Sequence, residues 1–85
     1  CNTMPPAAGY LEGVKALCER HGALLIFDEV ITGFRFALGG AQSYFGIIPH
    51  LSCFGKAMGN GMPISAIVGH DPYMREMEDI FFSGT

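Results

Sequence analysis

Basic residues are scarce in this chain. Five Lys plus Arg stand against eight Asp plus Glu in 85 residues, for a formal charge of −3. No basic face is left to follow a phosphate backbone, so nucleic-acid binding lacks its electrostatic footing, and an anionic membrane surface is disfavoured for the same reason. Long apolar runs are also missing: the longest, 23–27, is far too short to cross a bilayer. Cysteine amounts to Cys1, Cys18 and Cys53, an odd number at wide spacing. Cys18 and Cys53 lie in apolar stretches and read as small buried hydrophobes, which fits a reduced, cytoplasmic compartment. What is present is mostly apolar. With 49% hydrophobic and 15% charged residues, the chain has the means to bury much of its surface, which argues against disorder. It starts at Cys1 without Met and stops at Phe81-Phe82-Ser83-Gly84-Thr85 with no closing element, so both ends read as cuts in a longer protein.

The periodicity predicts a helix over 8–21, with Leu11, Val14, Leu17 and Cys18 on one face and Glu12, Lys15, Glu19 and Arg20 turned away. His21 suits the negative end of the helix dipole, and Gly22 suits the left-handed residue that ends it. The run 23–27 does not alternate, as expected of a parallel strand covered on both faces, and it stops at Asp28-Glu29. From 30 to 46 the glycines 33, 39, 40 and 46 predict an ordered loop with one short helix over 41–45. Strands are expected over 51–54 and 64–68, the second entered through a turn carrying Gly59, Asn60, Gly61 and Pro63. Asp71 reads as an N-cap and Pro72 as the first residue of a helix over 72–79, whose Met74 and Met77 form a half-buried stripe. The order is that of an α/β fold, and three strands are too few for a complete doubly wound sheet.

Asp28 sits at the carboxyl end of the first strand, the rim where open parallel sheets bind ligands. Three roles fit a carboxylate there. It can cap a turn; it can hold the proton on a heteroaromatic nitrogen and keep that ring electron-withdrawing; or, with Glu29, it can serve Mg²⁺ and water as the acidic motif of an ATPase does. Lys56 is one of two lysines and lies in Phe54-Gly55-Lys56-Ala57-Met58-Gly59, among small and apolar neighbours. A desolvated lysine is more available as the neutral amine that forms a Schiff base, whereas the ordinary alternative is a stem on apolar surface with its charge in water. Ala57 after Gly55-Lys56 departs from the Ser or Thr of a phosphate loop. Glu29 and Arg35 are expected to form a buried ion pair that orders the loop. His50 and His70 fall in turns without metal-ligand spacing, and Tyr44-Phe45 reads as core. No metal is implied.

Taken together, Phe27-Asp28-Glu29-Val30-Ile31-Thr32-Gly33-Phe34-Arg35, Gly40-Ala41-Gln42, Tyr44-Phe45-Gly46, Gly55-Lys56 and Gly61-Met62-Pro63 resemble the class III, pyridoxal-phosphate-dependent aminotransferases. The likeness runs from Gly9 nearly to the end of the chain, and the order of the motifs, with Lys56 28 positions after Asp28, is more specific than any one of them. Within the class it is closest to glutamate-1-semialdehyde 2,1-aminomutase and its relatives. Ile31 stands where many ω-amino-acid aminotransferases carry Gln, which favours that branch, whereas 57–65 departs from the more Gly-rich segment of true aminomutases. The resemblance implies that the chain is part of the large, cofactor-binding domain of a fold-type I enzyme, with a mostly parallel sheet flanked by helices. It further implies that Lys56 holds pyridoxal 5'-phosphate, Asp28 pairs with its ring nitrogen, Val30 packs on the ring and Thr85 reaches the phosphate. In the family that threonine serves the neighbouring subunit's cofactor, so a homodimer acting on a small amino acid or semialdehyde is expected.

Overall fold

The computed structural model describes residues 4–76. Helix α1, Tyr10–Arg20, ends as the sequence predicts: His21 is its C-cap, Gly22 turns left-handed at φ 67°, and Ala23 N donates to Cys18 O across 2.8 Å. Leu11, Val14 and Cys18 are half-buried, and Leu17 is exposed.

Strand β1, Ile26–Glu29, begins three residues later than the apolar run suggests and takes in both acids. The reason lies at its head. Ala23 is spent on ending α1, and Leu25 is held by His50 and by the first residue of the next strand: its N–H donates to His50 Nδ1 at 2.8 Å, and its carbonyl accepts from His50 N and Leu51 N. Pairing with β2, Leu51–Phe54, therefore starts at Ile26↔Leu51 and runs in parallel to Glu29↔Phe54, so Asp28 lies opposite Cys53. Between them the chain forms helix α2, Gly40–Phe45, ending at Gly46 with φ 70°.

Strand β3, Ala66–Gly69, joins β2 antiparallel, giving the sheet order β1-β2-β3. The parallel pair is thus followed by an antiparallel edge. The 55–65 connection holds only one turn of 3-10 helix at Lys56–Met58, too little for the crossover a parallel neighbour would need. Helix α3, Asp71–Met74, starts one residue earlier than expected. His70 is the N-cap, and Asp71, instead of capping, pairs with Arg75 at 2.7 Å on the surface. The helix ends at Met74 with Arg75 as its C-cap, short of the expected span, of which residues 77–79 lie outside the described residues.

No helix among the described residues is long and apolar enough to cross a membrane. Ile47 is the one buried large aliphatic residue among them, while Ile26, Ile48 and Val68 are more than half exposed. Three expected core residues stand elsewhere: Tyr44 is 63% exposed, stacked edge-on against half-buried Phe45, and Cys18 and Cys53 are half-buried free thiols.

Candidate active site

The rim of the parallel pair gathers the residues that the sequence singled out. Asp28, Val30, Ile31, Thr32 and Lys56 line one cavity of about 400 Å³. Asp28 reaches it from β1 and Lys56 from the turn that follows β2, because Asp28 pairs with Cys53 and Lys56 follows that position by three residues. Asp28 is exposed to the cavity, and one of its oxygens is steadied by Val30 N–H at 3.1 Å. Lys56 leaves β2 through Gly55 and takes a left-handed conformation, φ 40°, uncommon for a residue with a side chain. Its carbonyl accepts from Gly59 N and Asn60 N, which fixes the turn behind it. A residue held in this region carries backbone strain of order 1–3 kcal/mol, which the surrounding structure must hold in place.

Lys56 is exposed in this chain and not desolvated as its apolar neighbours suggested. Those neighbours lie along the turn, and what walls the cavity is the end of β1 and the residues after it. Among the described residues its ammonium forms no ion pair. The cavity therefore offers an uncommitted primary amine, a carboxylate, the apolar side chains of Val30 and Ile31, and a hydroxyl. That set fits an aromatic aldehyde bearing a ring nitrogen: the amine for the aldehyde carbon, the carboxylate for the nitrogen, the branched side chain for a ring face. Thr85 lies outside the described residues. No group of three or more His, Cys, Asp or Glu side chains is placed to hold a metal among those described.

Glu29 departs from expectation. It is 1% exposed, yet its partner is not Arg35, which is exposed. The carboxylate accepts instead from Thr32 Oγ1 at 3.0 Å, Gln42 Nε2 at 3.0 Å, Gln42 N at 3.4 Å and Ala41 N. The amides belong to the first turn of α2, whose start at Gly39 supplies no side-chain acceptor of its own. A carboxylate from β1 fills that need, and the partial positive charge there replaces the guanidinium. The sequence carries a signal for this: a helix start built on Gly39-Gly40 lacks Ser, Thr, Asp or Asn, so its N–H groups had to find an acceptor elsewhere. The same bonds remove the ATPase reading of Asp28-Glu29, since Glu29 is buried and committed to donors and is not free to activate a metal-bound water.

The class-III aminotransferase family model matches residues 3–84. Among solved structures, the FumI protein of Sphingopyxis sp. MTA144, in its PLP internal aldimine form, is 40% identical over 88% of this chain with a TM-score of 0.80. An ω-transaminase from Sphaerobacter thermophilus is 37% identical over 84%, TM-score 0.78. The ω-transaminase of Pseudomonas jessenii in complex with PMP is 29% identical over 89%, TM-score 0.78. These matches cover 18%, 16% and 17% of those chains, so the 85 residues span less than a fifth of the length of the proteins they resemble.

Proposed function

Because this chain belongs to the class-III aminotransferases, we propose that the protein transfers an amino group with pyridoxal 5'-phosphate, and that residues 1–85 are part of its large, cofactor-binding domain. The observation that carries this reading is the meeting of Asp28 and Lys56 at one cavity on the rim of two paired parallel strands. The bound cofactor supplies an electron sink for the pair released at the substrate's α-carbon. Lys56 would hold the cofactor's aldehyde carbon through its Nζ, and the same amine, when free, would move the proton at the substrate's α-carbon. Asp28 keeps the ring nitrogen protonated, because a fixed anion beside it favours the cationic form. Val30 packs on the ring, and Thr85 offers its hydroxyl and amide to the phosphate of a neighbouring subunit's cofactor, which makes the enzyme a homodimer. The free, half-buried Cys18 and Cys53 suit a cytoplasmic enzyme.

Two versions of the transfer differ in where the amino group goes. In the transaminase version it passes to a separate acceptor, and the transaminases among the structural neighbours favour this one. In the aminomutase version it returns to the adjacent carbon of glutamate-1-semialdehyde, giving 5-aminolevulinate, and the apolar Ile31 at the cavity favours it. The full-length enzyme separates them. Formation of 5-aminolevulinate from the semialdehyde with no added acceptor identifies the mutase; turnover only with an amine and a 2-oxo acid together identifies the transaminase. In either version Lys56→Ala is expected to abolish turnover, and a Lys56→Ala enzyme of normal activity would refute the mechanism.

A further inference from the structure

Glu29 has the one fully buried large side chain among the described residues, and its partners share a property. Thr32 Oγ1, Ala41 N, Gln42 N and Gln42 Nε2 all donate to it, while Gln42 Nε2 also reaches Ser52 Oγ at 3.3 Å on β2. A carboxylate satisfies four donors because it accepts on every side. An amide of the same shape turns an N–H toward at least one of them and leaves buried donors facing each other. Through these bonds one side chain ties the end of β1 to the following turn, to the start of α2 and, by way of Gln42 and Ser52, to β2. Gly40 closes the arrangement: a Cβ there would lie 2.7 Å from both carboxylate oxygens, and its φ is 78°.

The residues on either side of Glu29 are Asp28 and Val30, both at the cavity with Lys56. Successive strand side chains point to opposite faces, so fixing position 29 on the buried face fixes the carboxylate of Asp28 on the other. We infer that Glu29 is a positioning residue for the cofactor site: its acceptor-only carboxylate sets where Asp28 and Val30 stand opposite Lys56. This rests on the reading of Asp28 and Lys56 as cofactor residues given above.

The test titrates pyridoxal 5'-phosphate into the full-length apo-protein and records its Kd, the position of the visible band and the thermal midpoint. The wild type is compared with Glu29→Gln and with the double variant Glu29→Gln/Gln42→Glu. Glu29→Gln is expected to weaken cofactor binding at least tenfold, about 1.4 kcal/mol, and to shift the band. The double variant should recover most of the loss, since the amide oxygen at 29 again meets the backbone donors of α2 while its N–H groups face a carboxylate at 42. If Glu29→Gln does not fold, Gln42→Met serves: it removes one donor and should weaken binding in the same direction by a smaller factor. A fall in thermal midpoint with Kd and band unchanged would make Glu29 merely structural and overturn the inference, as would an unchanged Kd in Gln42→Met. A wild type that binds no cofactor would overturn the proposed function and this inference with it, an outcome told apart because it appears before any substitution is made.

Discussion

Asp28 and Glu29 are adjacent acids in opposite surroundings. Asp28 keeps its carboxylate at an open cavity with one backbone N–H on it, whereas Glu29 is buried under four donors. Asp28→Asn keeps the size and loses the charge that a ring nitrogen needs. It is expected to lower turnover of the full enzyme on the order of 10²–10³-fold, as removal of a preorganised electrostatic partner does, while leaving the fold intact by circular dichroism. Gly40→Ala acts on the other acid. A methyl group there meets the Glu29 carboxylate in a left-handed conformation that alone costs roughly 1–2 kcal/mol, so denaturant unfolding should show a loss of about 2 kcal/mol or more. At this scale the sequence drew attention to Asp28, an acid after a run of apolar residues, and to Lys56, a lysine with Gly55 and Gly59 nearby; the structure brings both to one cavity, while the roles expected of them came from the resemblance. The partner of Glu29 was not legible. Choosing Arg35 followed charge complementarity, and the structure instead uses backbone N–H groups whose availability depends on where α2 begins.

Among the elements, the helices and the order of strands could be read from periodicity and from Gly22, Gly46 and the turn around Gly59–Gly61. Their boundaries could not, because neighbours set them. The start of β1 is decided at Leu25, where a side chain 25 residues away accepts the N–H. His50 was read as a turn residue, and its ring nitrogen proves to be the acceptor that closes the head of the parallel ladder. His50→Ala should therefore cost about 1 kcal/mol or more by leaving that N–H unpaired, and amide exchange at Leu25 should rise more than at residues of α1. The direction of β3 also lay beyond composition, since a parallel and an antiparallel edge strand read alike. The shortness of the 55–65 connection decides it. Asp71 shows the same limit on a small scale, since Arg75 four residues on draws its carboxylate away from the helix start.

For the molecule as a whole, a class-III aminotransferase segment that spans 16–18% of its structural neighbours leaves much apolar surface in water when taken alone. Ile26 on β1 and Val68 on β3 are more than half exposed, where a sheet with a parallel pair is ordinarily covered on both faces, and so are Ile31 and Ile48 in the connections. The 85 residues in isolation are expected to melt without a cooperative transition, to bind a hydrophobic dye, and to show little or no affinity for pyridoxal 5'-phosphate. A sharp thermal transition in the isolated segment would contradict that. The central claim, that Lys56 and Asp28 form the heart of a pyridoxal-phosphate site, is tested most directly on the full-length protein as purified. An absorption spectrum is recorded before and after borohydride, and the modified lysine is mapped by mass spectrometry. The account predicts a visible band that borohydride removes, with the reduced cofactor found on Lys56. A colourless protein that pyridoxal 5'-phosphate does not reconstitute, or a label on a different lysine, would contradict it.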